Sequence, residues 1–369
     1  MRREYVAIFS VKPAVRLPKD AKEMVWTFDE TDQSCSVKIS RISETMGTGS
    51  VVQTGLEFTV RLQADNMDEA TKLAKQMVEG ILSYVTLVNG VATPISGECI
   101  VYETTAGVLA RDFRQHYHDL LPLRASAREF NHDAVSEVIE VIDKLDEDTR
   151  SRVARAVRWY RTGALLEWPL EAFLCNWIGL ECLNPVLQGR LGVRQDETVS
   201  GIKAFICKAR PEDGLEIYRK IHKLRVSAVH GKESLNRLVT SAQDYLVQTR
   251  VLLKRAIMFV LGMKEWDQDL METVIRYPFL NLMVRAKILG DDPTHLGPSG
   301  GHPSIDLDPR TTKVEITDDG RPRFTGKPML KLSLGPGVRM TDIESLFYGE
   351  GLTDVVAHQS VSSGDALTE

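Results

Sequence analysis

The chain has 369 residues, 43% of them hydrophobic and 26% charged, with a formal net charge of -5. That length exceeds one ordinary core and predicts two or three domains. No stretch reaches the roughly 18 uninterrupted apolar residues of a membrane span, and the acidic balance confines any nucleic-acid surface to a local basic patch.

The start, MRREYVAIFSVKPAVRLPKD, sets basic residues before an apolar run. The run is too short for a secretory signal and no small-residue cleavage site follows, so it reads as a first strand. YVAIFSV, CSVKISRI, LEFTVRLQA and ECIVYETT are rich in β-branched and aromatic residues with partial alternation, the pattern of strands. Between the last two, NMDEATKLAKQMVEGILSYVTLV is helical. Ala70, Leu73, Ala74, Met77, Ile81 and Leu82 make one stripe, and Asp68 and Glu69 lie in the first turn, where the helix dipole favours them. Residues 1–110 are therefore expected to form a β-rich α+β module.

From about residue 112 the pattern turns helical. Candidate helices run roughly 134–145, 148–163, 169–184, 199–209, 214–231, 235–262 and 267–286, punctuated by Pro169, Pro185, Pro211, Gly163, Gly214 and Gly231. Residues 111–286 are expected to be an all-α bundle. In the remaining 287–369, a turn-rich DDPTHLGPSGGHPSIDLDP precedes strand-like TKVEIT and PMLKLSL. This predicts a small β-containing C-terminal extension, whose polar end VAHQSVSSGDALTE has the composition of a mobile tail. The expected fold class is multi-domain α+β.

The five cysteines are odd in number and form no CxxC pair, the pattern of reduced thiols in a cytoplasmic protein. His116 and His118 in RQHYHD would clip a metal only on a strand, and His295 and His302 lack a carboxylate pattern. No metal site and no cofactor are expected.

Chemistry concentrates in GLEIYRKIHKLRVSAVHGK. Ile217, Ile221, Leu224 and Ala228 recur at helical spacing, with Arg219, His222, Lys223 and His230 away from that stripe and Arg225 at its edge. Five residues of straight helix turn through about 140°, so Arg225 and His230 of one chain do not converge. Either the helix breaks before Gly231 or a second copy completes the site. Upstream, in PLEAFLCNWIGLECLNP, Phe173, Trp177 and Leu180 step along one face, with Glu181 four residues beyond Trp177. A carboxylate there must find a partner; Arg225 is the expected one. The preceding TRSRVARAVRWYRTG carries Arg150, Arg152, Arg155, Arg158 and Arg161 around Trp159 and Tyr160. Cations interleaved with aromatics suit a phosphate backbone with stacked bases; the alternative is a solvated face.

AVRWYRTGALLEWPLEAFLCNWIGLECL followed by IYRKIHKLRVSAVHG resembles the HEPN superfamily, and most of all its Apea-like branch. That pattern is a helical bundle with a tryptophan- and glutamate-bearing helix, then Arg, four to six residues, and His-Gly. The resemblance covers about 150 to 260, under half of the chain. It implies a HEPN bundle acting as a homodimeric, metal-independent endoribonuclease that leaves a 2′,3′-cyclic phosphate. Arg225 and His230 match the catalytic motif and Glu181 the helix glutamate, with Ser227 and His222 in support. Arg155, Arg158, Arg219, Lys223 and Lys232 are the candidates for holding RNA. A role in anti-phage defence or as a toxin is implied too, with a protein or phage-derived trigger. Active members most often carry Asn after the motif Arg, whereas this chain has Val226. That departure implies an alternative: an inactive HEPN-type module that binds RNA or protein.

Overall fold

The computed structural model describes residues 2–11, 15–18, 21, 23–30, 33–45, 51–95, 97–108, 110–122, 128–193, 200–231, 233–263, 276–289, 304–307, 313–316, 322–325, 328–332, 339–347 and 360–361. In chain order these hold β1 (Arg3–Val11), β2 (Glu23–Glu30), β3 (Gln33–Thr45), β4 (Val51–Ala64), α1 (Met67–Asn89), β5 (Gly97–Glu103) and β6 (Ala110–Pro122). Next come α2 (His132–Asp143), α3 (Glu147–Leu165), α4 (Pro169–Leu191), α5 (Ser200–Ala209), α6 (Gly214–His230) and α7 (Leu235–Leu261). The last are β7 (Arg276–Leu289), β8 (Ser304–Leu307), β9 (Lys313–Ile316), β10 (Pro322–Thr325), β11 (Pro328–Leu332), β12 (Arg339–Phe347) and β13 (Ser360–Val361). The fold is mixed α+β.

One compact unit comprises Met1–Val78, Ile95–Ala125 and Ile275–Glu369. Its centre is an eight-stranded sheet in the order β2-β3-β4-β1-β5-β6-β7-β12, antiparallel at every pairing. The inner strand β1 is apolar on both faces, and Tyr5, Val6, Ala7, Phe9 and Val11 are all buried, as in a strand covered on both sides. β4 and β5 both run antiparallel to β1, hence parallel to each other with β1 between them. Such a pair needs a crossover, and α1 supplies it. The start of α1 is fixed locally: Asn66 accepts from the Glu69 N–H, and Glu69 reaches back to the Asp65 N–H. Two further sheets pair β9 with β10 and set β11 between β8 and β13.

The sheet corrects three expectations. The helix expected over 267–286 is strand β7 from Arg276 onward, paired with β6; its first part lies outside the described residues. RYPFLNLMVRAKIL is a nearly continuous apolar run, which periodicity alone cannot assign to helix or strand. β6 was not expected either, because Arg111 and Gln115, 1% and 0% exposed, occupy core positions and break the apolar alternation. The boundaries expected at 110/111 and 286/287 consequently fall inside β6 and β7, two strands of one sheet.

The second compact unit comprises Glu79–Pro94 and Ser126–Val274. Its helices begin and end on recognisable signals. Asn131 and Asp146 accept from the Ala134 and Thr149 backbone N–H groups at the starts of α2 and α3. Pro169 opens α4, where no N–H is required. Gly231 and Gly262, with φ of 62° and 69°, close α6 and α7 in the left-handed conformation.

Two punctuation marks act differently. α4 runs on through Pro185 to Leu191 instead of stopping near 184. The helix is buried around much of its circumference, with Leu180, Leu183 and Leu187 at 0% exposure, and packing overrides the one missing N–H. Gly163 lies inside α3, where an added Cβ would sit 2.9 Å from the Ala172 carbonyl oxygen. Its role is close helix contact. Among the described residues, no helix is long and apolar enough to cross a membrane.

Candidate functional site

The site grows from the apolar face of α4. Phe173, Trp177 and Leu180 are buried there. A buried indole needs a partner for its N–H, and Trp177 Nε1 donates to Glu181 Oε1 one turn later, at 2.7 Å. The same carboxylate oxygen takes Arg225 Nη2 of α6 at 3.0 Å. One half-buried oxygen thus ties the tryptophan helix to the arginine helix. The ion pair expected from the sequence is made.

His222 completes the cluster. Its ring stacks on Tyr218, one turn earlier on α6, at 5.4 Å between centroids and 15° between planes. It also leans on Trp177 at 5.9 Å and 50°. Burial and the Arg225 guanidinium push its pKa below 6.5, and Glu181 only partly opposes them. The geometry therefore favours a neutral imidazole.

His230 stands apart. It is the last residue of α6, and it is exposed. α6 is unbroken from Gly214, and the Gly231 N–H closes it on the Ser227 carbonyl. The helix break offered as one route for bringing Arg225 and His230 together does not occur. On a regular helix His230 stays about 140° round and about 7.5 Å along the axis from Arg225. Ser227 is about 200° round from Arg225; it is buried and donates from Oγ to Glu233 Oε1 at 3.1 Å. It shapes the turn between α6 and α7 rather than joining Arg225.

The cationic candidates divide. Arg219 and Lys223 are exposed on α6. Arg155 is exposed on α3 and donates from Nε to the Ser151 carbonyl at 3.3 Å. Arg158 lies 3.6 Å from Glu79 of α1. Lys232 lies outside the described residues, as do His295 and His302. His116 and His118 fall on β6, the strand setting their spacing would need. Among the described residues no three His, Cys, Asp or Glu side chains gather as a metal site.

Tyr218 is the member of the cluster to which sequence reading gave no role. Its four-residue spacing to His222 is the signal that identifies it. No family model, no curated protein and no solved structure matches the chain.

Proposed function

We propose that the helical unit is a HEPN-type bundle and that the protein is a cytoplasmic, homodimeric, metal-independent endoribonuclease. The observation that carries this reading is the Trp177–Glu181–Arg225 junction, which fixes the motif arginine on the same unbroken helix that ends in an exposed His230. Since the two motif residues of one chain point apart, the reading requires a second copy. Val229 and Leu235, 56% and 52% exposed on either side of the His230–Gly231 turn, offer that copy an apolar footing.

The chemistry follows from the residue types. A histidine takes the proton from a 2′-hydroxyl, whose oxygen attacks the neighbouring phosphorus. The P–O5′ bond breaks, and a second histidine returns a proton to the departing O5′. The products are a 2′,3′-cyclic phosphate and a 5′-hydroxyl. The paired His230 residues supply both proton transfers, and the Arg225 guanidinium holds the phosphate and stabilises its extra charge. DNA lacks the attacking hydroxyl and is not cut. As implied by the resemblance, the activity serves anti-phage defence or acts as a toxin, with the sheet unit receiving a protein or phage-derived trigger.

A second reading, an inactive bundle that binds RNA or protein, is favoured by Val226. It puts an apolar residue beside Arg225, where active members of the resembled family carry a polar one.

Labelled tRNA and single-stranded RNA, incubated with purified protein in EDTA, separate the two. Wild type is expected to cut. His230→Ala is expected to fall by about a hundredfold or more, the usual contribution of a positioned general acid or base. Equal cutting by both proteins would overturn the assignment of His230, and RNA retained without cutting would establish the binding module.

A further inference from the structure

In the sheet unit, β6 and β7 set two arginines directly against each other. Arg114 and Arg285 are partners in the antiparallel register, so their side chains leave the same face of the sheet, with Cβ atoms about 4.5–5.5 Å apart. Like charges so placed repel and cost stability unless an anion offsets them. Asp68, in the first turn of α1, is one such anion. Its Oδ1 accepts from Arg114 Nη1 at 2.6 Å. That bond, the Arg114 charge and then the charge of Arg285 hold its carboxyl below the usual carboxylate range. Asp112 and Lys287, two residues along each strand, are also partners and form an ion pair on the same face. On the other side of β7, β12 brings Glu344 level with Arg285.

Asp68 is a weak occupant of this position. Its side chain is 81% exposed, against 17% for that of Arg114, and an ion pair with so solvated a carboxylate contributes little. Arg114 Nε is buried with no hydrogen-bond partner among the described residues, so the guanidinium fork is only partly used. Arg285 is exposed and open to a ligand. Asp112 and Lys287 offset each other, which leaves Asp68 and Glu344 as the acids a ligand competes with. A phosphate carries more charge and more acceptor oxygens than a carboxylate, and two opposed guanidiniums can each present a fork to it.

We infer that Arg114 and Arg285 form a site for a terminal phosphate monoester, which enters between the two guanidiniums and displaces Asp68. A free nucleoside 5′-monophosphate and the 5′ end of a nucleic-acid strand carry this same chemistry. A terminal phosphate bears up to about two charges at neutral pH, and a phosphodiester within a strand bears one, so the site distinguishes an end from the chain behind it. All the residues involved belong to the sheet unit, and the inference holds whether or not the helical unit cuts RNA.

The test titrates the full chain into two short DNA strands labelled with fluorescein at the 3′ end, one with a 5′-phosphate and one with a 5′-hydroxyl, and follows anisotropy. Wild type is expected to bind the phosphorylated strand about tenfold more tightly, roughly the worth of one charge-assisted hydrogen bond. Arg285→Ala, at an exposed position, is expected to abolish that preference. Asp68→Asn removes the competing carboxylate and is expected to raise the preference about threefold, in line with an exposed ion pair. Arg190→Ala, in the helical unit, leaves it unchanged. Deoxyadenosine 5′-monophosphate added to the phosphorylated complex separates the two sources. Displacement at concentrations comparable to the strand identifies a free nucleotide, and persistence of the complex identifies a strand end. Equal binding of both strands by wild type, or a preference that survives Arg285→Ala, overturns the site. A preference that falls in Asp68→Asn overturns the displacement of Asp68 and with it the assignment to Arg114.

Discussion

Glu181 decides the site at the scale of single residues. Its Oε1 joins Trp177 and Arg225, and His222 sits within the field of both charges. The imidazole consequence is testable by pH. His222 prefers to be neutral in the folded protein, its pKa lying below 6.5, chiefly through burial and then through Arg225. At pH well above 6.5 it is neutral in both folded and unfolded chains. As pH falls through the unfolded value the unfolded chain gains a proton that the folded one refuses, so stability declines until pH passes the folded value. The groups facing the ring are Tyr218 and Arg225 on its own helix and Trp177 and Glu181 on α4. The thermal midpoint of wild type is expected to drop as pH falls through about 6.5. His222→Phe keeps the stacking and should shrink that drop; an identical pH profile in the variant would remove His222 from the account. The Glu181–Arg225 pair was legible in the sequence because a carboxylate four residues past Trp177 on an apolar face demands a partner. Ser227 is turned away from Arg225 because adjacency in sequence is not adjacency on a helix.

Glycine placement sets the tolerances at the scale of elements. A Cβ on Gly201 would lie 2.4 Å from the Asn184 carbonyl oxygen and 2.8 Å from the Gln188 backbone nitrogen. Backbone cannot swing aside, so Gly201→Ala should destabilise the protein by about 1–3 kcal/mol through overpacking. Gly80 lies inside α1 with nothing within 4 Å of its Cβ position. Gly80→Ala should therefore stabilise by about 0.5–1 kcal/mol through reduced chain entropy. Thermal midpoints that move in opposite directions support this packing, and a neutral Gly201→Ala would contradict it. Helices were largely legible because their stripes and caps are local. β2 was not among the expected strands, although half-buried Met24, Trp26 and Phe28 alternate there with exposed Glu23, Val25 and Thr27. β6 and β7 carried no such signal, since buried Arg111 and Gln115 hide one alternation and a largely apolar run hides the other. Pro185 misled because a helix buried on several sides holds its shape through one lost hydrogen bond.

The sheet of the first unit recruits β7 and β12 from far along the chain, a long-range pairing that no local pattern announces. The helical unit by contrast is almost contiguous in sequence, which is why its helices could be read. The separation of Arg225 from His230 on one continuous helix bears on the whole molecule, because it requires a second copy for the proposed chemistry. The central claim is that this chemistry uses the ribose hydroxyl. The most direct measurement compares, in EDTA, an RNA cut by wild type with the same strand carrying a 2′-O-methyl group at the nucleotide before the cut. The account predicts a 2′,3′-cyclic phosphate from the first and no cleavage at that position in the second. Cleavage of the methylated strand at the same bond would contradict it.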